Sequence, residues 1–204
     1  MNLLKSILNS LELFFGLYSF LYLSIYSILL YLSVKATIKH FREKKELNVT
    51  DESTGVSIIA PAFNEEQTII ESVKSFFSQI YSKYEVVIIN DGSTDNTLGL
   101  LIDEFDLVKV DFYYIEKIPT QPVRGHYKST NPLYSKLLVV DKENGKSKAD
   151  ASNAGINSCK YSIFICTDVD CILRADTIAM MVKPFVISKK RVIASGATIR
   201  MANQ

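Results

Sequence analysis

Residues 13–34 hold no charged side chain and are dense in Leu, Ile, Phe and Tyr. This run of 22 residues matches the roughly 20 that a helix needs to cross a bilayer. Tyr18, Tyr22, Tyr26 and Tyr31 suit a membrane helix and its interfaces. A cleaved signal peptide fits less well, because the apolar run is too long and no small-residue cleavage site follows. Lys35, Lys39, Arg42, Lys44 and Lys45 crowd the C-terminal flank, against Lys5 and the amino terminus on the other side. The positive-inside rule then puts residues 35 onward in the cytoplasm of a cell bounded by this inner or plasma membrane, with one crossing in this chain. Asn48-Val-Thr50 matches a glycosylation sequon that a cytoplasmic location leaves unused. The expected organisation is an anchor over 1–34, a charged connector over 35–54 and a globular region over 55–204.

A formal net charge of +1 and a pI near 7.6 give no ground for a nucleic-acid partner. Three cysteines and two histidines are too few for a disulfide framework or a zinc cluster. Cys159, Cys166 and Cys171 are therefore expected to be reduced, buried thiols.

Strand-like runs fall at 56–60, 85–90, 110–115, 162–166 and 192–199, and helical patterns at 65–79, 95–105, 146–159 and 176–185. Strands alternating with helices of this length predict an α/β fold with a mostly parallel, doubly wound sheet. The stretch 116–144 lacks periodicity and carries Pro119, Pro122, Gly125 and Pro132. It reads as a long loop, either functional or a surface excursion.

Four segments carry chemistry. Phe164-Ile-Cys-Thr-Asp-Val-Asp-Cys-Ile172 holds an apolar run, with 163–166 read as a buried strand, followed by two carboxylates one residue apart. Asp168 and Asp170 emerge past the strand's C-terminal end, where ligands of open α/β sheets gather. Two carboxylates there suit a hard divalent cation, and a solvated acidic turn is the plainer alternative. The first strand runs into Ala60-Pro-Ala-Phe-Asn-Glu-Glu66, a strand-to-helix turn with free backbone N–H groups and the aromatic face of Phe63. A helix cap with an acidic first turn also accounts for it. The second strand stops at Asp91-Gly-Ser-Thr-Asp-Asn-Thr97. Gly92 makes the turn, and a carboxylate after the second strand is a common way to fix a nucleoside. Finally, Gly145-Lys-Ser-Lys-Ala-Asp-Ala-Ser-Asn-Ala-Gly155 opens a helix with Lys146 and Lys148. Cations are disfavoured at that end by the helix dipole, which suggests service to an anionic ligand such as a diphosphate. A solvated lysine pair on a surface helix is the alternative.

In order, Pro61-Ala-Phe-Asn-Glu-Glu66, Val87-Ile-Ile-Asn-Asp-Gly-Ser-Thr-Asp95, Lys148-Ala-Asp-Ala-Ser-Asn-Ala-Gly155 and Thr167-Asp-Val-Asp170 resemble family 2 glycosyltransferases of the GT-A fold. The stretch from Pro122-Val-Arg-Gly to Val140-Asp-Lys-Glu-Asn-Gly145 is most similar to membrane-anchored bacterial synthases of the poly-N-acetylglucosamine, cellulose and hyaluronan type. That resemblance implies a GT-A domain preceded by one transmembrane helix, acting on a UDP-sugar and a glycan or lipid-linked acceptor. Asp91 would bind the uridine, with Pro61, Phe63, Asn64 and Glu65 lining the base and ribose pocket. Lys148 would approach the nucleotide and Asp168 the donor sugar or diphosphate. Asp170, with Asp168, would hold Mg²⁺ or Mn²⁺.

Inverting transfer needs a carboxylate base to deprotonate the acceptor hydroxyl. In the family that base sits well after the Asp-x-Asp, and processive members add a later Gln-x-x-Arg-Trp; this chain has no Trp and ends at Gln204. The catalytic base is expected beyond Gln204, with the C-terminal part of the domain missing from this chain. The alternatives are a non-catalytic nucleotide-binding subunit beside a partner that carries the base, and an inactive truncated remnant. A nucleotidyltransferase of similar design would show a Gly-rich phosphate loop where this chain has Pro-Ala-Phe-Asn-Glu-Glu.

Overall fold

The computed structural model describes residues 2–45 and 54–198. The chain divides into two units, Met1–Val49 and Thr50–Gln204. The described residues of the first form one helix, α1 (Asn2–Lys45). Its stretch Lys5–Lys39 is long and apolar enough to cross a membrane, and the helix continues into the charged connector as far as Lys45.

The second unit is a three-layer α/β domain. Its elements are β1 (Val56–Ala62), α2 (Ile69–Phe77), β2 (Tyr84–Asp91), α3 (Thr97–Glu104), β3 (Leu107–Val110), β4 (Val123–Ser129), β5 (Leu137–Lys142), α4 (Lys148–Ser158), β6 (Ile163–Cys166) and α5 (Thr177–Ile187). One six-stranded sheet has the order β3-β4-β5-β2-β1-β6. The pairings β1–β2, β1–β6 and β2–β5 are parallel, whereas β4 runs antiparallel to both neighbours. The sheet is thus mostly parallel, as the alternation of elements predicts.

Burial explains which strands lie in the middle. β1, β2 and β5 are almost continuously buried, the pattern of strands covered on both faces. Val56, Ile58, Val86, Ile88 and Val139 face a core shared with Val73 and Phe76 of α2 and Leu101 of α3. Ile59, Val87, Ile89, Leu138 and Val140 face Ala151 and Ala154 of α4 on the other side. Helix α4 approaches closely because Gly155 has no side chain. A Cβ there would lie 2.5 Å from Cγ2 of Ile59 and 2.8 Å from Cδ1 of Ile89.

Several expectations need correction. The supposed loop 116–144 contains β4, a short 3-10 turn at Pro132–Tyr134, and β5. β5 pairs with β2 through Val86↔Leu137 to Asp91↔Lys142 and so stands in the middle of the sheet. Its apolar run of four residues is too short to show a period. The strand expected at 110–115 is instead β3, ending at Val110. Residues 192–198 of the strand expected at 192–199 form no strand, and Ile193, 88% exposed, has no ladder to join; residue 199 lies outside the described residues. β6 is half-exposed rather than fully buried, because among the described residues it pairs only with β1. The cysteines are free, but Cys166 is exposed, and Cys159 and Cys171 are only partly buried.

Candidate active site

At the C-terminal ends of the parallel strands lies a cavity of about 480 Å³. Pro61, Phe63, Glu65, Asp91, Lys148, Asp168 and Asp170 line it, joined by Asn144, Lys146 and Ser147. Seven of the eight residues to which the resemblance gives a role therefore converge. Asn64 is the one that does not.

Asn64 instead ties two turns together. Its backbone is left-handed, with φ of 57°, a conformation that Asn tolerates better than most residues. Its side-chain oxygen accepts the Thr94 amide at 2.8 Å, and its own amide donates to Oγ of Ser93 at 3.0 Å. Glu65 N donates to Oγ1 of Thr97 and Glu66 N to Oδ2 of Asp95, while Oε2 of Glu66 accepts Asn96 N. These cross-turn bonds satisfy N–H groups ahead of α2, which starts at Ile69 rather than at 65. Desolvation opposes ionisation of Asp95, yet the bonds it accepts from Thr97 and Glu66 N outweigh that and hold its carboxyl below the usual range.

Asp91 is 6% exposed at the end of β2. Its Oδ1 accepts from the Lys142 ammonium at 2.7 Å and from Gly145 N at 3.1 Å. Lys142, fully buried, also lies 2.6 Å from Oδ2 of Asp150 and donates to the Glu143 carbonyl. Beside this cluster, Asp141 accepts from Arg124 at 2.6 Å and from Asn90 at 2.8 Å. Buried charge of this kind persists only when paired and hydrogen-bonded. The turn after Asp91 needs Gly92, whose φ is +67° and where a Cβ would meet Asn144 N at 2.7 Å.

Helix α4 begins over the cavity. Ser147 caps it by accepting Ala149 N, and Asp150 lies in its first turn. The Lys148 ammonium contacts the Asp168 carboxylate directly, which offsets a cation at the positive end of a helix. Ligand atoms of Asp168, Asp170 and Cys171 lie within 4.8 Å of one another. The two carboxylates fit a hard, oxygen-preferring cation such as Mg²⁺ or Mn²⁺; the soft thiol of Cys171 does not. Asp170 is exposed.

Sequence reasoning missed Lys142, Asn144, Asp150 and the Arg124–Asp141 pair. One signal was present: Leu-Leu-Val-Val-Asp-Lys repeats the pattern of Val-Val-Ile-Ile-Asn-Asp in β2, an apolar run closed by a charged residue.

The sheet order and the cavity at its strand ends define a GT-A domain. Residues 57–114 match Glycosyl transferase family 2, in line with the resemblance carried by the motifs. Among curated proteins, poly-beta-1,6-N-acetyl-D-glucosamine synthase of Staphylococcus aureus (strain COL) is 29% identical over 167 residues, covering 80% of this chain and 34% of that protein. The Staphylococcus epidermidis synthase of the same name is 28% identical over 131 residues, covering 64% and 25%. The chain thus spans about a third of the length of the first of these relatives. A solved mannosyltransferase from Pyrobaculum calidifontis, in complex with GDP-Man and Mn²⁺, superposes with a TM-score of 0.51 at 24% identity, covering 74% of this chain and 39% of that one. That likeness is one of fold.

Proposed function

We propose that this chain is the donor-binding part of a membrane-anchored glycosyltransferase that moves a hexosyl group from a UDP-sugar to a growing glycan, with inversion. The observation that carries this reading is the convergence of seven widely spaced residues, from Pro61 to Asp170, on one cavity at the strand ends. The synthase relatives support a polysaccharide product. Helix α1 serves as the anchor, with the domain on the cytoplasmic side.

Each side chain then has a task. Phe63, 48% exposed, offers its ring to the base, and Pro61 and Glu65 border the base and ribose. Asp91 accepts from the donor's nucleoside, its carboxylate aimed by Lys142 and Gly145 N. Lys148 exchanges its contact with Asp168 for the diphosphate. Asp170 and Asp168 would hold Mg²⁺ or Mn²⁺, which when bound neutralises charge on the diphosphate oxygens. Inverting transfer also needs a carboxylate base to take the proton of the acceptor hydroxyl.

The test is calorimetric titration of UDP into the full chain in detergent, with Mn²⁺ and then with EDTA. Asp170→Ala should weaken metal-dependent binding at least about tenfold, roughly 1.4 kcal/mol. Equal affinity in both proteins, with and without metal, would remove the metal assignment. No UDP binding under any condition would remove the donor assignment.

A further inference from the structure

A second cavity, of about 1150 Å³, lies at the opposite end of the sheet, where the parallel strands begin. Tyr84 and Leu137, the first residues of β2 and β5, form part of its wall, with the segment 112–115 and the end of α4 beside them. Its charge is one-sided. Lys83, Lys117, Lys128, Lys136 and Lys160 reach it, and Glu85 is the one carboxylate in its lining among the described residues. Glu85 is already engaged, accepting the Ser57 hydroxyl at 2.6 Å and the Lys160 amide. Among the described residues Lys117, Lys128, Lys136 and Lys160 form no ion pair.

Three of these ammoniums sit over rings instead. Lys136 lies 4.1 Å from the Tyr84 centroid, Lys128 5.3 Å from Phe112 and Lys160 5.4 Å from Tyr161. A ring face holds a cation without cancelling its charge, so the lysines are positioned yet still unneutralised. Desolvation lowers Lys136 below the ordinary lysine range. In a chain with a net charge of only +1, this concentration is local. At the rim stand Tyr113, 88% exposed, and Ile115, 59% exposed.

We propose that this groove binds phosphate oxyanions, an activity separate from donor binding at the other end of the sheet. A neutral sugar would leave the ammoniums unpaired, and a single carboxylate would satisfy one of them. A phosphate presents several acceptor oxygens and more charge, which suits lysines converging from several elements. The aromatic and aliphatic rim suits a headgroup at a lipid surface; a free phosphate compound offers the same anionic chemistry.

The experiment uses the full chain in nanodiscs, without divalent cations, and follows lysine acetylation residue by residue by mass spectrometry. Discs of phosphatidylcholine alone are compared with discs of equal phosphatidylcholine and phosphatidylglycerol. Inorganic pyrophosphate is added to the first kind as a third arm. Lys117, Lys128, Lys136 and Lys160 should react about fivefold more slowly beside anionic headgroups, while Lys189, outside the groove, keeps its rate. Slowing in the phosphatidylglycerol discs identifies a lipid source, and slowing by pyrophosphate a free one. No slowing in either arm overturns the proposal. A Lys128→Glu, Lys160→Glu double variant changes two exposed side chains and should abolish the protection of Lys117 and Lys136. Protection that survives it overturns the proposal as well.

Discussion

Where the parallel strands end, four carboxylates (Glu65, Asp91, Asp168, Asp170) and two ammoniums (Lys146, Lys148) line a cavity. Where the strands begin, five lysines face one carboxylate. The ends differ in arrangement as much as in sign. At the finishing end Asp91 is held by Lys142 and a backbone amide, and Asp168 by Lys148. At the starting end Lys128, Lys136 and Lys160 sit over rings, Lys136 also donates to a carbonyl, and among the described residues these three and Lys117 form no ion pair. Internal pairing aims a side chain, as a nucleotide site needs, whereas an unpaired cation keeps its attraction for something outside the chain.

The largest expected effect follows from removing the charge that holds the finishing end together. Lys142→Met leaves Asp91 and Asp150 facing each other without the cation between them. It should destabilise the domain by about 3–5 kcal/mol, read by chemical denaturation of the detergent-solubilised chain. A loss below about 1 kcal/mol would mean that the cluster is solvated and the contrast between the two ends is weak.

Behind Phe112 and Ser158 of the groove lies a buried titratable group. His126, 5% exposed, stacks on Phe112 at 4.6 Å and meets Oγ of Ser158 at 3.2 Å. Desolvation lowers it from 6.5 to about 4. Its neutral form is the folded one, so the unfolded chain binds the extra proton between those values. Stability is fully present above about pH 6.5 and falls as the pH drops toward 4, by as much as about 3 kcal/mol. Denaturation midpoints across that window should slope for the natural chain and flatten in His126→Phe.

A smaller effect should come from Gly155→Ala, which drives a methyl group against Ile59 and Ile89. Pushing α4 away from the sheet should cost about 1–3 kcal/mol and should also weaken UDP binding, since α4 carries Lys148. Stability lost without any change in UDP affinity would separate the helix from the site. Last, Asn64→Ala removes the bond to Thr94 N and puts Ala at a positive φ, for about 1–2 kcal/mol. A thermal melt should register it, while lysine reactivity in the groove at the other end stays unchanged.

Much of the domain was legible along the chain. β1, β2 and β6 and the four helices of the second unit were visible as apolar runs and helical spacings, because each reports burial through its own neighbours. The strand-end motifs likewise stood out, since a turn and its carboxylate are local. β5 was not legible: Leu137–Lys142 is short, lies among prolines, and becomes central only by pairing with β2. Asn64 looked like a ligand residue because its bond to the Thr94 amide, 30 residues away, leaves no trace near position 64.

The sequence by itself therefore determined an apolar helix, an alternating α/β domain and the acids and lysines available to it. Tertiary structure alone decided which of these charges neutralise each other. Lys142 meets Asp91 across 51 residues because β5 adds to β2 in parallel register. The groove gathers lysines from 83 to 160 because the beginnings of strands far apart in sequence share one edge of the sheet. Periodicity records how a segment meets its immediate surroundings, whereas sheet order is set by the combined burial of all the strands and is written in none of them singly.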